Sequence, residues 1–183
     1  MSYLMLRLDW FVVLLLVGPV GLGIYSVAFN WVEIGLYAAI SIGGAVFEDS
    51  RTLDDRAARR VLALSVLLVS IIEIALILVG WRLIPALFGV EFSESTRVVL
   101  LLAPGLVAQA YSSTAWQILV ARGEGIVVRS FTFRTLLIGT PVLFALTAWF
   151  GIHGAAIGSS FMYLIWAWML SRKFSASGSQ RSD

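Results

Sequence analysis

The most informative polar side chains fall on one predicted helical face, in the second of several long apolar stretches. Asn30, Glu33 and Tyr37 follow one another at intervals of three or four residues, and Ser26 and Ser41 extend the series at its two ends. Residues at this spacing lie on the same side of an α-helix. An ionisable group inside an apolar helix usually faces a bundle interior or a water-filled cavity. The pattern therefore predicts either the lining of a wet cavity or a polar seam between packed helices.

Further charged residues also fall inside apolar stretches. Arg7 and Asp9 stand two positions apart, so they point to nearly opposite sides of a helix, and at least one must pair with another helix or reach water. Glu73 has no cation within three turns in its own stretch, whereas Arg134 lies about 10 Å into a later one. We expect Arg134 either to pair with Glu73 across the bundle or to extend to the membrane surface. Asp9, Glu33 and Glu73 are the candidate ion-pair, proton or cation sites.

A looser set of polar residues occurs in the fourth apolar stretch. Gln109 and Gln117 are its amide members, and Pro104-Gly105 precedes them by about one turn. Proline removes one helix hydrogen bond, so this dipeptide predicts a kink or a break. Interrupted helices beside polar groups are typical of secondary transporters.

The composition excludes most catalytic chemistry. The chain contains no cysteine and one histidine, His153, so neither a thiolate metal site nor a histidine cluster can form. The remaining polar residues assemble no nucleophile, base and orienting group. We therefore expect no enzyme activity, no cofactor and no bound metal. The net charge of +2 does not indicate a nucleic-acid partner.

The elements that position these residues are predicted to be membrane-spanning helices. Of the 183 residues, 60% are hydrophobic and 13% are charged, and the mean hydropathy is +0.93. A soluble chain is about half apolar and about a quarter charged. The sequence predicts an all-α polytopic membrane bundle over 1–174, followed by a disordered cytoplasmic tail at 175–183. Six spans, each near the ~20 residues that cross a bilayer, are predicted at 4–20, 23–47, 58–81, 96–121, 127–149 and 152–172.

The distribution of basic residues predicts the orientation of these spans. If the helices alternate in direction, every lysine and arginine except Arg82 and Arg97 falls on one side. Positive residues concentrate in cytoplasmic loops, so we expect both termini in the cytoplasm. The longest loop on the other side, 81–96, should lie at the outer headgroups. Gly154 and Gly158 have the spacing that permits close helix contact, and they predict tight packing of the sixth span.

Five short motifs occur in a fixed order along the chain: Arg7-Leu8-Asp9, VGLGIYSVA at 20–28, Leu87-Phe88-Gly89, Ala121-Arg122-Gly123 and GIHGAA at 151–156. Together they resemble the polysaccharide flippases of the multidrug/oligosaccharidyl-lipid/polysaccharide exporter superfamily. The order and spacing are similar to the C-terminal half of such a transporter, over nearly the whole chain. Full members carry two bundles, so we expect a fragment, a gene remnant or one half of a split transporter.

The resemblance implies one lobe of a two-lobe transporter in the bacterial plasma (inner) membrane. Such a transporter moves an undecaprenyl-diphosphate-linked saccharide from the cytoplasmic to the outer leaflet by alternating access. The implied partners are the lipid-linked saccharide, membrane lipids and a second lobe, which is either a separate N-terminal half or another copy. The expected substrate-binding residues are Arg7, Asn30, Glu33, Tyr37, Gln109, Gln117 and Arg134.

Two other functions remain open from the sequence. One is a dimeric small-solute or drug carrier with Glu33 and Glu73 as coupling sites, against which the lack of an internal repeat counts. The other is a non-transporting membrane scaffold, in which the polar faces contact other proteins.

Overall fold

The computed structural model describes residues 2–45 and 54–179, and every regular element in these ranges is helical. The elements are α1 (Ser2–Leu16), α2 (Pro19–Ala45), α3 (Asp55–Phe88), a 3-10 turn (Val90–Phe92), α4 (Ser93–Ala121) and α5 (Gly125–Ser179). Four of them, α2, α3, α4 and α5, are long and apolar enough to cross a membrane. The predicted all-α class is therefore confirmed, with four helices that qualify as spans.

Helix α5 is a hairpin whose two arms meet at Gly151. This residue has φ 58° and ψ −136°, outside the helical region. Beyond it, Gly154 packs against the carbonyl of Leu146, and Gly158 packs one turn later against the backbone of the first arm. The arms before and after Gly151 therefore run antiparallel. The tight packing predicted from the two later glycines is confirmed, because a side chain at either position would collide with the facing arm.

Helix α3 extends beyond its predicted end. The loop expected over 81–96 is largely helical, because the apolar sequence continues through Pro85 to Phe88. The helix ends at Gly89, where φ is 108° and the N–H donates to the Pro85 carbonyl at 3.0 Å. Glycine adopts this left-handed backbone without strain. The expected loop is reduced to the short 3-10 turn that precedes α4.

The structure bears on two further sequence expectations. Helix α4 runs without a break through Pro104, so of the predicted kink or break the break is not formed. The Ser160 hydroxyl donates to the Leu101 carbonyl at 2.6 Å, one residue after the Leu100 carbonyl that lacks a helix donor because Pro104 has no N–H. The tail expected to be disordered at 175–183 is helical as far as Ser179, and 180–183 lie outside the described residues.

Helix α4 is the central element of the bundle. It packs against α2, α3 and α5. In its most apolar 18-residue segment 61% is buried, compared with 22% in the corresponding segment of α3. Gly105 lies against the backbone of Ser160 on the second arm of α5, which brings the two helices close together. On the opposite side, the hydroxyls of Ser65 and Thr114 are 2.9 Å apart and join α3 to α4. The more exposed α3 is thus an outer helix.

Ion pairs at the two ends of the bundle reflect the alternating directions of the helices. At one end, the start of α3 meets the end of α4, where Asp55 Oδ1 lies 2.9 Å from Arg122 Nη1. We call this end of the bundle, where Arg122 lies, the basic end. At the opposite, distal end, the start of α4 meets the start of the second arm of α5. There Glu94 Oε1 lies 3.1 Å from His153 Nε2.

Candidate functional site

Part of the predicted polar stripe of α2 lies on the outside of the bundle. Asn30, Tyr37 and Ser41 are exposed, Tyr37 to 58%. They share one side of α2 because the steps between them are seven and four residues. We call these three residues the α2 polar face. No described helix covers it, so its amide and hydroxyl groups are open to water, a ligand or another chain.

Arg7 and Glu33 form an ion pair beside the α2 polar face. Arg7 Nη2 lies 3.2 Å from both carboxylate oxygens of Glu33. The Arg7 side chain is 38% exposed and that of Glu33 11%, so the pair stands at the boundary between interior and surface. The guanidinium also lies over the Trp10 ring, 4.6 Å from its centroid. Its Nη1 is buried and has no hydrogen-bond partner among the described residues, so the 38% exposure of the side chain comes from its other atoms.

Asp9 points the other way, into the interior, and joins three elements. Its carboxyl accepts hydrogen bonds from the Tyr25 hydroxyl at 2.5 Å and from the Ser159 hydroxyl at 3.1 Å. It also accepts one from the N–H of Trp10 at 3.0 Å. A buried carboxyl needs such donors to replace its hydration. Asp9 therefore serves to hold α1 against α2 and the second arm of α5.

Glu73 is buried without a partner. Its residue exposure is 2%, and neither carboxyl oxygen has a hydrogen-bond partner among the described residues. Space for the carboxyl is provided by Gly35 on α2, where a side chain would collide with Oε1. The expected pair with Arg134 is not formed, because Arg134 is exposed on the first arm of α5. The hairpin directs that arginine outward, away from α3.

The structure brings together only part of the predicted substrate-binding set. Arg7 and Glu33 adjoin the α2 polar face, and Gln117 lies at its edge, donating to the Ile40 carbonyl at 3.4 Å. Gln109 is 3% exposed and its Oε1 has no partner within the described chain. Gln109 points inward because α4 is surrounded by other helices on most sides. Neither Gln109 nor Arg134 shares the α2 polar face.

Sequence reasoning missed the donors that surround Asp9. The spacing of polar residues along the chain predicted neither Tyr25 nor Ser159 as a partner of Asp9. The signal available was Asp9 itself, since a carboxyl in an apolar helix requires donors from neighbouring helices. Their identity depended on how α5 folds back, which spacing along α1 cannot reveal.

Comparison with known protein families, with curated proteins and with solved structures gave no match.

Proposed function

We propose that the chain is one lobe of a two-lobe membrane transporter, and that this lobe crosses the bilayer six times. The spans would be α1, α2, α3, α4 and the two arms of α5. Each arm exceeds the ~20 residues needed to cross. Helix α1 has 15 residues and is about 22 Å long, so its polar contacts with α2 and α5 support its place in the membrane. The cluster of arginines supports a cytoplasmic basic end and cytoplasmic termini, in a bacterial inner membrane.

The observation that carries the proposal is the α2 polar face with its adjoining ion pair. A surface that faced only lipid would be apolar, because polar groups in hydrocarbon lack partners. On α3, by contrast, the exposed residues include Leu67, Ile71 and Ile74. The exposed surface of α2 also includes Ile34 and Ile40, so it is mixed, and the amide and hydroxyl groups of Asn30, Tyr37 and Ser41 are what distinguish it from the α3 surface. We assign the α3 surface to lipid and the α2 polar face to an aqueous path between this lobe and a second one.

The substrate class that fits this face is a lipid-linked saccharide. The amide of Asn30 and the hydroxyl of Tyr37 suit the hydroxyl groups of a sugar. The partly exposed guanidinium of Arg7 suits an anionic oxygen such as that of a diphosphate. Rocking of two such lobes would move the substrate from the cytoplasmic to the outer leaflet.

The aqueous character of the face can be tested by labelling single cysteines in a chain that has no native cysteine. Tyr37→Cys and Ile71→Cys are matched, because the native residues are 58% and 57% exposed. They also lie at similar depth, since Gly35 on α2 faces Glu73 on α3. With a water-soluble maleimide and membrane vesicles, we expect labelling at position 37 and none at position 71. Equal labelling at both positions would remove the basis of the proposal.

Transport itself is tested with the chain and its second lobe in proteoliposomes. The chain alone is used if it dimerises. We expect a lipid-linked saccharide to move between leaflets and to protect Tyr37→Cys from the maleimide. Protection by a co-purifying protein, without any effect of the saccharide, would favour the scaffold function. Proton-dependent uptake of a small solute would favour the dimeric carrier, for which the unpaired Glu73 carboxyl is a suitable proton site.

A further inference from the structure

The two arms of α5 line an open surface cavity near the basic end that lies apart from the α2 polar face. Its volume is 360 Å³. Its lining residues come from both arms of the hairpin and from no other helix: Phe131, Arg134, Trp168, Met169, Arg172 and Lys173. Because no residue of α1 or α2 contributes, this cavity is distinct from the proposed transport path.

The cavity has a strong excess of positive charge. Three of its lining residues are cations and none is an acid. Lys173 Nζ is bound to Glu124 at 2.8 Å, which neutralises one of the three charges. Arg172 lies over the Trp168 ring, 4.8 Å from its centroid, and this contact orients the guanidinium without neutralising it. Arg134 is exposed and makes no ion pair among the described residues.

The two arginines stand at different depths. Arg134 is nine positions into α5, about 14 Å along its axis. Neighbouring Thr135 contacts Met169, 3.8 Å from hydroxyl to sulfur, so Arg134 lies about 3 Å, or half a turn, deeper than Arg172. The rings of Phe131 and Trp168 line the same cavity, and Trp168 and Met169 lie on the side of Arg172 that is nearer the membrane interior. A ligand that fits must therefore combine an anionic group with an apolar part that extends toward the membrane interior.

We propose that this cavity binds the phosphate of a membrane lipid, with Arg134 and Arg172 contacting the phosphate oxygens. Arginine is suited to this ligand because its planar donors match phosphate geometry and remain charged. The aromatic rings and Met169 contact the first carbons of the lipid chain. Trp168 is 56% exposed, as is typical of an aromatic residue at the headgroup level. The proposal rests on the membrane placement proposed above and does not require transport.

The test measures lipid binding to the purified chain in detergent by native mass spectrometry. The probes are phosphatidylglycerol, a polyprenyl diphosphate and diacylglycerol, which lacks phosphate. We expect both phosphate lipids to bind and diacylglycerol not to bind. Arg134→Gln and Arg172→Gln should each weaken binding about tenfold, the loss of one charge-assisted contact. The matched control is Arg129→Gln, an exposed cation on the same arm that does not line the cavity; it should retain binding within about twofold.

Each outcome of the test bears on the proposal. Equal binding of diacylglycerol, or an equal loss in Arg129→Gln, would overturn it, because apolar contact or general charge would then suffice. Tighter binding of the polyprenyl diphosphate would identify the lipid carrier as the ligand, and equal binding would identify bulk phospholipid; both support a phosphate site. If a glutamine variant unfolds, Arg134→Lys retains the charge and removes the planar donor pair, and it should bind at an intermediate level. Absence of transport alongside intact lipid binding would refute only the proposed function.

Discussion

Replacing Tyr25 by phenylalanine tests whether the hydrogen bonds around Asp9 stabilise the bundle. The substitution removes the hydroxyl that donates to Asp9 at 2.5 Å and keeps the ring, whose centroid lies 6.2 Å from that of Phe29. Tyr25 has no exposed surface, so water does not replace the lost donor. Hydrogen bonds to charged groups contribute about 1.5–3 kcal/mol, whereas interhelical bonds in membrane proteins average nearer ~0.6 kcal/mol. We expect a loss of about 1–2 kcal/mol in the free energy of unfolding.

Ser159 is a second donor to Asp9, and its substitution provides a further test. Ser159 donates to the same carboxyl oxygen at 3.1 Å, and its hydroxyl lies 3.2 Å from that of Tyr25. We expect Ser159→Ala to cost about 1 kcal/mol. The two substitutions should not add, because each donor compensates in part for the loss of the other. A coupling energy of about 0.5–1 kcal/mol is expected for the double variant.

The assay is unfolding in mixed micelles, with the free energy obtained from the loss of helical circular dichroism as denaturing detergent is added. Tyr37→Phe is the control for loss of a tyrosine hydroxyl, because that side chain is exposed. Its effect should stay within about 0.5 kcal/mol. The reasoning is refuted if Tyr25→Phe is no more destabilising than Tyr37→Phe, or if the two network substitutions are strictly additive.

Three other outcomes are expected from the same unfolding measurement. Gly154→Val should cost at least about 3 kcal/mol, because its side chain would collide with the facing arm of α5; an unchanged midpoint would contradict the hairpin. Asp55→Asn should cost about 1 kcal/mol at low salt and less at high salt, since its partner Arg122 is only partly buried; the same cost at both salt concentrations would contradict this account. Glu33→Gln should cost about 1–2 kcal/mol, because it leaves the guanidinium of Arg7 without its opposite charge, and a stabilising effect would count against the pair.

The secondary structure was largely predictable because its signals are local. Apolar runs predicted where helices lie, and glycines at positive φ follow the ends of α1, α3 and α4: Gly18, Gly89 and Gly123. The extension of α3 was not predicted because Pro85 resembles a helix terminator. Only the continued apolar sequence and the glycine after Phe88 reveal that the helix persists to that point.

The candidate site was predicted less well, because it depends on which helix faces which. Periodicity placed Asn30 and Tyr37 on one side of α2, and the structure keeps them together. It could not indicate whether Gln109 points to the surface, since that depends on α4 being enclosed by α2, α3 and α5. Periodicity also could not show that Glu73 and Arg134 lie apart, because the direction of the first arm of α5 follows from the reversal at Gly151.

Helix α1 shows why two charges placed two residues apart need not neutralise each other. Arg7 reaches outward to a partly exposed Glu33, and Asp9 reaches inward to two buried hydroxyl donors. The inward contacts have no competing ligand, because they are enclosed by three elements. The outward pair is open, and an anionic ligand can compete with Glu33 for the guanidinium. A transporter built on this lobe would therefore keep the Asp9 contacts intact through its cycle and would exchange the Arg7–Glu33 contact when substrate binds.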